Sequence, residues 1–295
     1  MNSEEAESSV VGGRLSVRHI AVLLHESIDA LNLSPGKIYI DGTFGAGGHS
    51  REVLKRLGRK VEIIALDRDP EVARANPDFE IRTQSFADID RLNVHPDAIL
   101  LDLGISSDQL ESSGRGFSFQ KDEPLDMRMS GTGPTASDIL NSWDESAIEL
   151  ILRGFGEERF SKKIAQEIVK RRKIKPFDTT TDLIDAILTV KPRHFLDKIH
   201  PATKTFQALR IAVNEELDTL EKGLEKGFEV LMPGGRFAVI SFHSLEDRIV
   251  KNFFRDKAKD GFGKLITKKP ITPTDEEVSF NPRSRSAKLR VIEKL

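Results

Sequence analysis

Between residues 37 and 103 the chain alternates short apolar runs with helical patterns, and this order constrains the fold more than any other feature. The runs are Lys37–Asp41, Val61–Asp67, Phe79–Arg82 and Ala98–Leu103. Between them lie Ser50–Leu57, Pro70–Ala75 and Phe86–Leu92, which read as helices. A helix is also expected before the first run, with Val22, Leu23, Ile28 and Leu31 among its buried positions. Each run is β-branched or Leu-rich and bounded by Gly, Pro or Asp. Such an order predicts βαβ units and a parallel sheet covered on both faces.

The alternation then stops. From Thr135 to about Thr205 no strand pattern appears, and Asp144–Arg153, Glu157–Lys173 and Thr180–Thr189 read as helices. A long helix over Phe206–Leu231 leads to a strand at Arg236–Phe242, a helix at Leu245–Lys257, and strands near Lys264–Lys268 and Lys288–Glu293. The expected architecture is an α/β domain of Rossmann-like type, built from residues 17–111 and 206–295. An all-helical domain, 112–205, is inserted after the fourth strand. Residues 1–16 mix Ser, Glu and Gly and read as a mobile tail.

Composition removes several functions. The 295 residues contain no cysteine, which excludes disulfides, thiolate nucleophiles and Cys-based metal centres. The seven histidines form no H-x-x-H or H-E-x-x-H pattern, so no catalytic metal is expected. The longest apolar run, Ile20–Leu24, is too short to span a bilayer. The acidic N-terminus is unlike a signal peptide, so a cytoplasmic protein is expected. A net charge of −2 argues against a uniformly basic coat, but leaves room for local basic surfaces that bind nucleic acid.

The strongest local signal is the turn Asp41-Gly42-Thr43-Phe44-Gly45-Ala46-Gly47-Gly48-His49, which follows the first strand and opens a helix. Glycines let a ligand approach the backbone, and a helix N-terminus presents N–H groups. Asp67 ends the next strand, where a carboxylate can accept hydrogen bonds from a ribose diol. The third glycine is displaced from the dinucleotide G-x-G-x-x-G spacing, and Asp41 would repel a pyrophosphate. A cationic nucleoside cofactor, S-adenosylmethionine, fits the acids better. Asp102 ends the fourth strand and is expected in the same crevice, although it also reads as an N-cap for a helix at Ser106–Leu110.

Longer segments support this reading. Tyr39-Ile40-Asp41-Gly42-Thr43-Phe44-Gly45-Ala46-Gly47-Gly48-His49-Ser50, Leu100-Leu101-Asp102-Leu103-Gly104-Ile105-Ser106-Ser107 and Gly116-Phe117-Ser118-Phe119 resemble the MraW-type ribosomal RNA small subunit methyltransferase H family. So do Pro124-Leu125-Asp126-Met127-Arg128-Met129, His200-Pro201-Ala202-Thr203 and Ser241-Phe242-His243-Ser244-Leu245-Glu246-Asp247-Arg248. The resemblance runs from about Arg18 to the C-terminus. It implies a class I methyltransferase sheet and S-adenosylmethionine-dependent N4-methylation of a cytidine in the decoding region of 16S rRNA. It also implies the small ribosomal subunit as partner, and cofactor contacts at Gly47, Gly48, His49, Asp67, Phe86, Asp102 and Gln109.

Other residues carry two readings each. Phe86 is either an adenine platform or a core side chain, and Gln109 either returns to the pocket or is solvated. Asp102 is expected first to orient the target amine and second to accept its proton, with a nearby backbone carbonyl as the alternative acceptor. Phe117, Phe119 and Phe242 are candidates to stack on an extruded base, with core packing as the competing role. His243 either contacts substrate or belongs to a helix N-cap. Lys170, Arg171, Arg172 and Lys173 form a basic run, read as phosphate-binding rather than as a solvated helix face. Arg283 and Arg285, with Lys288 and Arg290, make a second basic patch. A nicotinamide-dependent oxidoreductase and a non-catalytic RNA-binding module are the rival functions. The displaced glycine argues against the first and the acid-lined crevice against the second.

Overall fold

The computed structural model describes residues 21–106, 109–110, 113–192 and 199–295. The expected tail over 1–16 lies outside these residues, as does part of the expected helix at Ser106–Leu110. Seven strands form one sheet: β1 Ile38–Asp41, β2 Glu62–Asp67, β3 Ile81–Thr83, β4 Ala98–Asp102, β5 Arg236–Ser241, β6 Gly263–Leu265 and β7 Lys288–Lys294. Their order is β3-β2-β1-β4-β5-β7-β6. The first five are parallel, and β7 runs antiparallel to both β5 and β6. The order reverses between β1 and β4, which places a crevice at their carboxyl ends.

The two-residue period of the strands sorts their side chains. Ile40, Ile64, Leu66, Ile99, Leu101, Phe237 and Val239 share one buried cluster with Leu220, Leu224 and Phe228. Tyr39, Ala98, Leu100, Ala238, Ile240 and Leu289 share another with Ile28, Leu31 and Val53. The helices on the first face are α9 Glu216–Val230 and α10 Ser244–Lys259; those on the second are α1 Leu24–Leu31 and α2 Gly48–Leu57. A short α3, Pro70–Ala75, follows β2.

A third core lies between β4 and β5. Five helices build it: α4 Ala136–Ser142, α5 Glu145–Gly154, α6 Ser161–Arg172, α7 Thr180–Val190 and α8 Thr203–Asn214. Capping boxes at Thr135/Asp138 and Thr179/Asp182 satisfy the first N–H groups of α4 and α7. The cluster runs from Phe117 to Val213, so the expected boundary between 205 and 206 falls inside α8. A last helix, α11 Asp275–Phe280, meets the residue before α1, where Leu23 N–H donates to Glu277 Oε1 at 2.8 Å.

Two helical expectations need correction. Phe86–Leu92 is a 3-10 helix with non-helical geometry at Asp88. The long helix over Phe206–Leu231 is two helices, broken where Glu215 adopts φ +48°. Apolar periodicity continues through the break, and neither Gly nor Pro marks it. Tertiary hydrogen bonds make it instead. Asn214 Nδ2 donates to the Met127 carbonyl at 2.7 Å, and its Oδ1 accepts from Met129 N–H at 2.8 Å. Arg68 holds the Asn214 carbonyl at 3.0 Å.

Candidate active site

The glycine turn is stitched to the strand ends. Gly42 N–H donates to the Leu100 carbonyl and Phe44 N–H to that of Leu66, each at 2.9 Å. Gly47 is the N-cap of α2 with φ +75°, and a Cβ there would stand 2.4 Å from the Phe44 ring. A Cβ on Gly48 would lie 2.7 Å from Ala21 Cβ. The turn is thus close-packed from behind, and Gly47 has no side chain to cap the helix.

Asp41 stands opposite Ala65 and Leu100, so Asp67 and Asp102 end two residues further along their own strands. Asp67 is fixed by the backbone: Gly45 N–H donates to Oδ2 and Asp69 N–H to Oδ1, both at 2.9 Å. Each oxygen keeps acceptor capacity for a diol. Burial pushes its carboxyl above the ordinary range. Asp41 is fully enclosed and accepts Ser50 Oγ–H at 2.6 Å; burial raises its pKa from 3.8 to about 6.

Asp102 is more exposed to conflict. Its N–H donates to Thr43 Oγ1 at 2.6 Å, but its buried Oδ1 has no hydrogen-bond partner among the described residues. Burial, then the charges of Asp41 and Glu246, raise its pKa well above the carboxylate norm. An orphaned buried acceptor costs about 1–3 kcal/mol, which a polar ligand would relieve.

Asp67 and Asp102 line one open crevice, while Asp41 is buried beside Gly42 of its wall. Gly48, His49, Asp67, Phe86, Asp102, Gln109, Phe242 and Arg283 all line it. The anchored Asp67 and the orphaned Asp102 oxygen suit a cationic nucleoside ligand.

Residues 16–295 match the sequence profile of the MraW methylase family. The chain belongs to that family. Among its curated relatives, the ribosomal RNA small subunit methyltransferase H of Heliobacterium mobile is 46% identical over 315 residues, spanning 95% of this chain and 100% of the relative. The protein of the same name from Caldicellulosiruptor bescii is 46% identical, covering 94% of this chain and 99% of its own. That from Methylorubrum extorquens strain AM1 is 44% identical, covering 94% and 87%.

Set on this member of the family, the expected site residues separate. Phe86 lies at the crevice wall with its ring against α9, where a Cβ on Gly223 would come within 2.3 Å. Gln109 is buried; its Nε2 donates to Asp69 Oδ2 at 2.8 Å, and its Oε1 accepts from Ser106 N–H. Phe117 and Phe119 are corrections to the stacking role. Phe117 is buried in the helical core, and Phe119 packs on it, stacked on His200 at 4.7 Å. Neither lines the crevice, because the apolar interior of the helices takes both rings. His243 is the N-cap of α10: its Nδ1 accepts from Glu246 N–H, while Glu246 accepts from the His243 N–H.

The basic surfaces are also partly occupied. Arg172 donates to the carbonyls of Leu140 and Trp143, and Arg171 to Glu167 and Thr189. Lys170 and Lys173 are exposed. Lys288 and Arg290 face an acid after all, Asp247 of α10, at 3.0 and 2.7 Å.

Several site residues escape sequence reading. Asp69 is buried, caps α3 through Glu71 N–H, and binds both Gln109 and Arg115. The Asp-Pro step at a helix start was its one local signal. Glu216 and Glu246 line the crevice, with Arg210 bidentate to Glu216 at 2.8 Å. Although burial pushes Glu246 up, His243, Arg210 and the Phe242 N–H hold it below the carboxylate norm. Ligand-type atoms of Glu216, His243 and Glu246 lie within 4.8 Å of one another. Arg210 is already bidentate to Glu216, and His243 and Glu246 cap α10 together, so each of the three groups has a partner within the protein.

Proposed function

We propose that this protein methylates the N4 amine of a cytidine in the decoding region of 16S rRNA, using S-adenosylmethionine. The carrying observation is a family match over residues 16–295 on a crevice lined by Asp67 and Asp102 at the ends of their strands. Its place of action would be the cytoplasm, on the small ribosomal subunit. Among the described residues no helix is long and apolar enough to cross a membrane.

The cofactor, when bound, supplies an electrophilic methyl group on a sulfonium. The residues do the rest. Asp67 holds the ribose diol, and the Gly47-Gly48-His49 backbone lies along the amino-acid portion. Phe86 gives the adenine an apolar wall. Gln109 braces the pocket through Asp69, so its contact with the ligand uses what remains of its amide. Asp102 orients the target amine and accepts its proton, since the cytosine amine is a poor nucleophile and positioning dominates. Phe242, at the end of β5, is the stacking surface for the extruded base. The helical unit after β4, with Lys170 and Lys173, and the Arg283–Arg285 segment grip the RNA backbone, with Arg171 and Arg172 contributing less because they serve the fold.

The test is methyl transfer from labelled cofactor to naked 16S rRNA and to assembled small subunits, followed by nucleoside analysis. N4-methylcytidine is the expected product. A product of 5-methylcytidine, or no transfer to either substrate, would overturn the reading.

A further inference from the structure

Glu246 brings a second carboxylate to the crevice that holds Asp102. It lines that crevice while only 3% exposed. Strand register explains its place. Asp102 of β4 pairs with Ile240 of β5, and Glu246 folds back on the end of β5 just beyond. There its Oε2 accepts Phe242 N–H at 2.8 Å and His243 N–H at 3.2 Å. Its Oε1 lies 3.2 Å from His243 Nε2. An ionised carboxylate offers about four acceptor sites, so Oε1 keeps one for a ligand. Asp102, on the neighbouring strand, has its buried Oδ1 unmet. Two carboxyls with open lone pairs at adjoining strand ends match a group that carries two N–H donors. The exocyclic amine of cytosine is such a group, whereas O4 of uracil, at the same ring position, only accepts.

We propose that Glu246 selects the target base: it accepts one N–H of the N4 amine while Asp102 accepts the other, so the pocket admits cytosine and rejects uracil. This rests on the methyltransferase reading above and names a residue that sets its substrate. Asp102 cannot select by itself. Burial, then the charges of Asp41 and Glu246, favour its protonated form, which donates to O4. Glu246 is held ionised, since the His243 side chain, the Arg210 charge and the Phe242 N–H outweigh its burial. A carboxylate in that state only accepts. Facing O4 it would meet another acceptor, and two buried groups would be left unpaired, the arrangement by which binding sites discriminate most strongly. The ring assigned above to stack on the base belongs to Phe242, whose own N–H binds Glu246. Stacking surface and edge-reading carboxylate are therefore held together by one hydrogen bond.

The test uses protein loaded with S-adenosylhomocysteine, which blocks turnover, and short single-stranded RNAs made only of cytidine or only of uridine. Strands of equal length carry equal phosphates, so the backbone contribution cancels in the ratio of affinities. Wild type should favour the cytidine strand about 10- to 100-fold. Glu246→Gln keeps an oxygen for the Phe242 N–H and offers O4 a donor, so the ratio should fall to near unity, with tighter uridine binding. A merely loosened fold would weaken both strands alike. An unchanged ratio in Glu246→Gln, or equal binding of both strands by wild type, overturns the proposal. If the variant does not fold, wild type decides with a strand of pyrimidin-2-one nucleotides, which lack only the amine. That strand should bind about 10- to 100-fold more weakly than the cytidine strand, and equal binding overturns the assignment. If wild type makes no N4-methylcytidine on 16S rRNA, the methyltransferase reading falls, while the strand ratio still judges the amine pocket by itself.

Discussion

Asp41 is a carboxylate kept where its charge is costly, with Ser50 Oγ–H as its near partner. Its pKa stands at about 6 in the folded chain against 3.8 for the ordinary group. A folded pKa above the unfolded one favours folding fully below about pH 4, and that contribution is lost as pH rises through about 6. The cost at neutral pH is up to about 3 kcal/mol, at 1.36 kcal/mol per pKa unit. Asp41→Asn should therefore be more stable than wild type in urea at pH 7.5, with the gap closing near pH 4. An equal gap at both would show that the charge is not what strains the site. The same substitution should weaken S-adenosylmethionine binding only modestly, because Asp41 lies behind the crevice wall rather than in it. Asp67 differs: its two backbone donors hold it ready for a diol. Asp67→Ala should weaken cofactor binding roughly 10- to 100-fold by calorimetry, as expected for charge-assisted hydrogen bonds of about 1.5–3 kcal/mol.

At the scale of elements, α9 is shaped by what it must lie against. Gly223 faces Phe86, and a Cβ on Gly227 would come 2.8 Å from the Phe237 ring. An alanine at 223 would raise helix propensity by about 1 kcal/mol but overpack the Phe86 wall at a cost of about 1–3 kcal/mol. Gly223→Ala should lower the melting temperature and weaken cofactor binding together; a gain in both would show the ring moves aside freely. The break before α9 is testable too. Glu215→Gly should be neutral or stabilising by up to about 1 kcal/mol, because φ is positive there, whereas Glu215→Val should destabilise by more than that. Equal melting temperatures for the two would refute the strain. Both features show where sequence reading ends. All seven strands, including those ending in Asp41, Asp67 and Asp102, are legible as short β-branched or Leu-rich runs. The Glu215 break, the Asn214 clasp and the Asp69 hub depend on partners 40 or more residues away, such as Gln109 and Met127, and no local pattern records them. Phe117 and Phe119 fail for the related reason that a ring in a motif looks the same whether it meets a base or a core.

For the whole molecule, a net charge of −2 means that any hold on RNA must come from local cations rather than from the average surface. The basic run on α6 is divided by its packing. Arg172 fastens α6 to the carbonyls ending α4, so Arg172→Ala should cost about 1.5–3 kcal/mol of stability and says little about RNA. Lys170, 3.6 Å from Glu167 with three-quarters of its side chain in water, and Lys173, at the end of the helix, are the cations free to reach phosphates without loosening the fold. Replacing both by Ala should leave the denaturation curve and S-adenosylmethionine affinity at wild-type values. Each phosphate neutralised on a single strand contributes about −0.7 to the slope of log affinity against log salt, so the double variant should flatten that slope by about 1.4 units if both lysines make contact. The measurement is RNA affinity across a salt series, on a substrate that the wild type methylates. An unchanged slope would remove the α6 face from the RNA path and leave the grip to Arg283, which lines the crevice itself, and to Arg285 beside it. Arg283→Ala would then have to lower both RNA affinity and methyl transfer, since its place joins the cofactor crevice to the surface where the RNA must enter.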